Sequence, residues 1–325
     1  MKNNVAKILI SVAVLGILAL FQQALAIGED FTVELSPEVP APNQTVSAKI
    51  ISYSFDVDRS DISWIVNGAV KLSGTGKRNF SFSVGNIGSK TTLSIVIITK
   101  DGLKLDKTMT FQPAGLDILW EADTYTPVSY KAKAIPSSES IIKVSAFPEF
   151  YSNGEKISAS QLIYDWEINF KNKPDISGFG KRSFSFRSSG VFGEDSVKVT
   201  VSSYNKNIIA EKKIKIKIGE PKIIFYKDNP MEGVNYNSAL GSEIELGENE
   251  ISVRAEPYFF SSKNLNSLSY QWKMNNQSME PGEKKNTADF RVDSGPGSAL
   301  INLRIQNPIN VLQFTEKSLK INFGI

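Results

Sequence analysis

At 325 residues, 41% apolar and 22% charged, the chain has the composition of a folded protein and the length of two or three domains. A net charge of +3 gives no electrostatic case for nucleic acid or an anionic membrane as partner. Without cysteine or histidine there is no disulfide, thiol nucleophile, zinc site or histidine general base.

Residues 1–26 read as a secretory signal. Lys2 and Lys7 are its basic region, and an apolar run extends from Ile8 to Phe21. Ala24-Leu25-Ala26 gives the small-x-small cleavage pattern. The run is shorter than the roughly 20 residues a spanning helix needs. Cleavage removes two lysines and leaves a charge of 3 − 2 = +1. The expected location is outside the cytoplasm: periplasm, cell surface or medium. Membrane attachment is expected only through this segment, if it is retained.

From residue 27 onward the chain reads as short strands. Phe31 to Leu35 opens the first group. Val46 to Ser52 alternates apolar with polar, and Asp61 to Val66 carries Trp64. Phe80 to Val84 alternates strictly, and Thr92 to Ile98 is rich in β-branched residues. Lys100-Asp101-Gly102 is a hairpin turn, and Lys107 to Phe111 closes the group. After Gln112 to Gly115, the second group runs through Asp117–Trp120, Ile141–Ala146, the Trp166 strand, Phe184–Phe186, Ser196–Val201 and Lys213–Ile218. A second linker, Gly219-Glu220-Pro221, leads to a third group from Ile223–Tyr226 to Ser318–Phe323. Ser158 to Leu162 and Ser261 to Leu265 each suit one helical turn.

The order repeats. Ile62-Ser-Trp64-Ile-Val-Asn67, Tyr164-Asp-Trp166-Glu-Ile-Asn169 and Tyr270-Gln-Trp272-Lys-Met-Asn275 stand about one domain length apart. Gly76-Lys77-Arg78 precedes Phe80 and Phe82, and Gly180-Lys181-Arg182 precedes Phe184 and Phe186. Gly282-Glu283-Lys284-Lys285 takes that place before Phe290, which a constant offset of 106 aligns with Phe184. Alternation points Trp64, Trp166 and Trp272 inward, so these residues and the five phenylalanines are expected to fill three cores. Asn67, Asn169 and Asn275 suit Asx turns where each strand ends. The expected fold class is all-β, with three tandem two-sheet sandwiches at 27–114, 115–219 and 220–325.

The Trp64-Ile-Val-Asn-Gly68 and Trp166-Glu-Ile-Asn169 stretches resemble the Trp strand of polycystic-kidney-disease-type (PKD-like) and other bacterial immunoglobulin-like domains. The stretch from Gly190 to Asn205 is similar to that family's closing strand pair. The PKD family's Phe-Gly-Asp-Gly after the Trp stands in none of the three repeats. The resemblance implies an extracellular modular role in adhesion, spacing or assembly, commonly without catalysis.

Other constellations have simple readings. Asp56, Asp58 and Asp61 have the acid spacing of a calcium loop but lack its downstream Gly and Glu, which favours a solvated loop. Glu243, Glu245, Glu248 and Glu250 suit a solvated hairpin. The Lys-Ile alternation of Lys212 to Lys217 suits a basic edge strand. Trp120, Tyr125 and Tyr130 are the candidates for stacking against a glycan, although core or inter-domain packing is the favoured reading of such aromatics. No nucleophile stands with a base, and no glycine loop is placed to hold phosphate. The expectation is therefore a non-enzymatic rod of immunoglobulin-like modules without catalytic residue, cofactor or metal. Its partners would be other envelope or surface proteins in adhesion, spacing or pilus-type assembly. The alternative is a polysaccharide, bound through the exposed aromatics.

Overall fold

A computed structural model describes residues 30–189, 193–247, 250–292 and 295–324. The leader lies outside them. The chain divides into two compact units, one ending at Pro113 and the other beginning at Ala114.

The first unit is a sandwich of two antiparallel sheets. One has the order Thr32–Ser36, Thr45–Ile51, Asn79–Ser83. The other has the order Ala69–Thr75, Asp61–Val66, Thr91–Ile98, Lys104–Phe111. Alternation decides which side chains go inside. Val46, Ala48 and Ile50 meet Ile62, Trp64, Leu93, Ile95 and Ile97 in one apolar cluster, while the intervening polar residues face outward.

The second unit contains two further sandwiches, each with its own apolar cluster. In the first of these, Ser183–Arg187, Ile141–Glu149 and Gly115–Ala122 form one sheet. It covers a sheet built on Ile163–Ile168, Glu194–Ser202 and Ile209–Lys217. The last of those is the expected basic edge strand. In the C-terminal sandwich, Gly233–Ala239, Lys222–Asn229, Glu250–Tyr258 and Thr287–Arg291 form one sheet. The other has the order Glu243–Leu246, Phe314–Phe323, Gly297–Gln306, Ser269–Met274, Gln277–Met279. Its first pair is parallel. Glu243 and Glu245 are thus in a strand, not in a solvated hairpin, and Glu243 accepts from Lys320 and Asn322.

Trp64, Trp166 and Trp272 are buried, and each of these indole N–H groups meets a backbone carbonyl. Trp64 Nε1 donates to Lys77 at 2.7 Å, Trp166 Nε1 to Lys181 at 2.8 Å and Trp272 Nε1 to Lys285 at 2.9 Å. The Gly-Lys-Arg motif is therefore the loop that satisfies the Trp. Gly76 and Gly180 sit at φ +69° and +70° and place that carbonyl. In the C-terminal sandwich Lys284-Lys285-Asn286 stands in the same place, because Asn286 O accepts from Ala255 as Arg182 O does from Ala146. Gly282 is not the counterpart of Gly180.

The phenylalanines also shift register. Phe80 and Phe184 pair with Ala48 and Val144 and lie against Trp64 and Trp166, with ring centroids 5.4 and 4.7 Å apart. Ala288 occupies that place in the C-terminal sandwich, paired with Val253, and Phe290 corresponds to Phe186. Phe225, from another strand, covers Trp272 at 6.0 Å. A small residue on one strand is offset by a large one on its neighbour, which preserves packing density. Phe82 and Phe290 are buried, whereas Phe80, Phe184 and Phe186 are half-buried against the same clusters.

Asn67, Asn169 and Asn275 do not form Asx turns. Each is left-handed, at φ 49°, 50° and 50°, and each amide oxygen accepts a backbone N–H from the neighbouring strand. The donors are Thr92, Ser196 and Leu300. The side chain extends the ladder by one rung while the backbone turns away.

Candidate functional site

The recurring motif is used up in the cores, so a site has to be sought in the loops. The Asp56–Asp61 segment is engaged internally. Asp56 caps a 3-10 turn by accepting from the Asp58 N–H and pairs with Arg59 at 3.5 Å. Asp58 pairs with Arg78 at 3.3 Å, and Asp61 accepts from Thr75. Among the described residues no group of three or more acidic side chains is placed to hold a metal ion.

The three aromatic glycan candidates are not brought together. Trp120 packs beside the core of the middle sandwich, and the Lys133 ammonium lies 3.3 Å from its ring centroid. Burial pushes that ammonium below the usual lysine range. Tyr125 and Tyr130 lie instead at the junction of the two sandwiches of the second unit. The Tyr130 ring meets Tyr258 and Phe259 edge-on at 5.7 and 5.8 Å.

The junction is held by backbone and side-chain hydrogen bonds together. Residues 123–125 pair with 259–262 as a short antiparallel bridge. Tyr125 N donates to Phe260 O and Phe259 N to Tyr125 O, both at 2.7 Å. Gly219 in the linker donates to Pro136 O, which pins the linker to the middle sandwich.

Beside this bridge lies a buried polar cluster. The Gln313 amide nitrogen donates to Ser137 Oγ, Ser138 O and Ser261 Oγ, at 3.1, 2.8 and 3.1 Å. Its oxygen accepts from Ser261 N and from Asn307 Nδ2. Asn310 donates to Ser261 Oγ at 2.9 Å and accepts from Arg187. Ser137, Ser261, Asn307, Asn310 and Gln313 are all buried. A buried amide with both ends satisfied holds one geometry, because any slip leaves polar groups bare.

A second, charged cluster flanks the bridge. Glu256 is 1% exposed. It accepts from Tyr125 Oη at 3.1 Å, from Tyr236 Oη at 2.8 Å and from Arg254 Nε at 3.0 Å. Burial, reinforced by this carboxylate, pushes the Tyr236 hydroxyl up to about 12 and lifts Tyr125 well above the usual tyrosine range. Burial first, and then its hydrogen bond with Tyr226, raises Tyr258 in the same way. All three phenols stay protonated at neutral pH.

The charged cluster forms the back of an open cleft of about 490 Å³ lined by both sandwiches. Tyr125 and Arg254 form one side, Pro257, Leu265 and Tyr270 line it with apolar surface, and the 283–286 loop forms the rim. The Trp272–Lys285 bond fixes that loop from behind. No sequence pattern marks this cleft, although Tyr270 has a counterpart in Tyr164, two residues before each Trp.

No protein-family model matches the chain, and no curated protein matches it in sequence. Solved structures do. Fibronectin(III)-like modules of Clostridium thermocellum CbhA are 12% identical, with a TM-score of 0.26, over 57% of this chain and 94% of theirs. Three N-terminal domains of the bacteriophage RB49 highly immunogenic outer capsid protein are 11% identical (TM-score 0.25), over 91% of this chain and 98% of theirs. Immunoglobulin domains 1–4 of Sidekick-1 are 10% identical (TM-score 0.19), over 91% and 75%. The likeness is one of architecture, tandem immunoglobulin-like β-sandwiches, and at these scores it says nothing of role.

Proposed function

We propose that the protein is an exported, non-enzymatic structural and interaction module that spaces, adheres to or assembles with other envelope or surface proteins. One observation carries the reading: the 307–314 loop. Asn310 and Gln313 are buried in the junction, while Ile309, Val311, Leu312 and Phe314 are 62%, 56%, 45% and 49% exposed. The loop is fixed from behind and presents four apolar side chains to solvent. Clustered exposed apolar groups on a rigid support suit a protein partner. The polar groups of the junction are spent on holding this arrangement. A glycan surface made of Trp120, Tyr125 and Tyr130 has less support, because each ring packs within the protein.

A photo-crosslinking residue at Val311, used on intact cells, tests the reading. The expected result is a discrete adduct with an envelope or surface protein that a crosslinker at exposed Lys90 does not give. Equal labelling from both positions, or recovery of the chain only from the cytoplasm, would overturn it.

A further inference from the structure

The cleft at the junction contains a set of polar groups that the fold does not use. Tyr164 shows what the fold ordinarily does with the tyrosine two residues before the Trp. Its hydroxyl donates to Ala159 O at 2.8 Å, across a three-residue 3-10 turn, Ala159–Gln161. In the C-terminal sandwich that turn has six residues, Ser262–Ser267. Tyr270 occupies the place of Tyr164, yet among the described residues its hydroxyl has no hydrogen-bond partner. It is half-buried and lines the cleft.

The side chains around it are similarly free. Asn266 and Asn286 line the same space, and no described residue hydrogen-bonds their side-chain amides. Arg254 is paired with Glu256, and Lys285 Nζ donates to Asn266 O at 2.8 Å. The lining carries Arg254, Lys284 and Lys285 against Glu256 and Glu283, a net charge of 3 − 2 = +1, and the Lys284 and Glu283 side chains have no partner among the described residues. The cleft thus offers the Tyr270 ring with its free phenol, the Tyr125 ring beside it, apolar surface from Pro257 and Leu265, two amides and a net charge of only +1. Amides and phenols donate and accept in turn, as hydroxyl groups do. A volume of about 490 Å³ falls within the range of roughly 300–1,000 Å³ typical of small-ligand sites, which combine apolar walls with a few converging polar groups.

We propose that this cleft binds a sugar unit of an uncharged polysaccharide, which stacks on the Tyr270 ring and hydrogen-bonds to Tyr270 Oη, Asn266 and Asn286. The two carboxylates hold the lining to a net charge of +1, which gives little pull on an anionic chain, and the open mouth lets a polymer pass through it. Burial and the nearby Glu256 charge raise the Tyr270 phenol to about 12, so it remains a donor at any physiological pH. The site exists only where two sandwiches meet, because Tyr125 from the middle sandwich closes it.

The test is isothermal titration of the full-length chain with maltohexaose, cellohexaose, xylohexaose and chitohexaose, with tetragalacturonate as the charged comparison. At least one neutral hexasaccharide should bind. Tyr270→Phe, which retains the ring, and Asn286→Ala should each weaken that binding about tenfold, the loss of one hydrogen bond at a partly desolvated site. Trp120→Ala should leave it unchanged. No binding by any of the four, binding of tetragalacturonate alone, or binding indifferent to both cleft variants would overturn the proposal. Any of those results leaves the interaction role of the 307–314 loop standing, since that loop is tested separately.

Discussion

The amide nitrogen of Gln313 lies 3.1 Å from the hydroxyl of Ser137, and the two residues belong to different sandwiches. Ser137 passes the connection on by donating to Phe259 O at 2.6 Å. Two modules that each have a separate apolar cluster are thereby joined through buried polar contacts, which specify orientation more sharply than apolar contact does.

Replacing Gln313 by Ala should therefore cost more than an average buried residue of its size. The change removes one donor from Ser137 Oγ, Ser138 O and Ser261 Oγ, and one acceptor from Ser261 N and Asn307 Nδ2. A loss of about 2–4 kcal/mol is expected, since a buried polar group left unpaired costs roughly 1–3 kcal/mol. Urea unfolding followed by tryptophan fluorescence measures it. The variant should also separate the unfolding of the two sandwiches of the second unit.

Trp166→Phe separates packing from hydrogen bonding in the core. The ring is retained in smaller form, but Lys181 O loses its donor. The expected cost is about 1–3 kcal/mol, against about 3–5 kcal/mol for Trp166→Ala. Equal losses for the two variants would mean that the retained ring contributes nothing and that the lost indole N–H bond carries the whole cost.

Gly76 and Gly102 make a controlled pair. Both have positive φ, +69° and +81°. A Cβ on Gly76 would lie 3.0 Å from Asp58 O, whereas at Gly102 it would meet only open space. Gly102→Ala should cost only the left-handed backbone penalty, about 1 kcal/mol. Gly76→Ala should cost clearly more, and thermal melts of the two variants will rank them.

Much of this was legible in the sequence, and the limits have physical causes. Alternation marked the Phe80, Trp166 and Phe184 strands, because polar residues alternate with the apolar ones along each. Ala69–Thr75 escaped notice because it is an edge strand with an almost wholly exposed pattern. The Gly-Lys-Arg motif misled because the Trp needs a carbonyl, which every residue has, so Lys284-Lys285-Asn286 can replace it. The exchange of Phe184 for Ala288 plus Phe225 was hidden because compensation across strands leaves no fixed offset. Tyr125 and Tyr130 lie in a long aperiodic loop, and Gln313 is 176 residues from Ser137, so nothing local announces the junction.

Alkaline pH should act on the junction. An unfolded tyrosine ionises near pH 10. In the folded chain Tyr236 is raised to about 12, and Tyr125 and Tyr258 are raised further. Between those values the folded state holds protons that the unfolded state has lost, so stability falls as pH rises. Stability attributable to these groups should be level from pH 7 to about 10 and decline from there towards 12. Melting temperature against pH, alongside tyrosinate absorbance, gives the comparison, and Tyr236→Phe should lessen the slope.

Native-state hydrogen exchange at Val199 and Leu303 tests the joined pair most directly. Each lies in a central strand of its own sandwich and is buried in its own cluster. If the junction makes the pair one cooperative unit, both amides should open with the same free energy, and Gln313→Ala should pull the two values apart. Unequal values in the unaltered chain, untouched by Gln313→Ala, would show two modules that merely lie side by side.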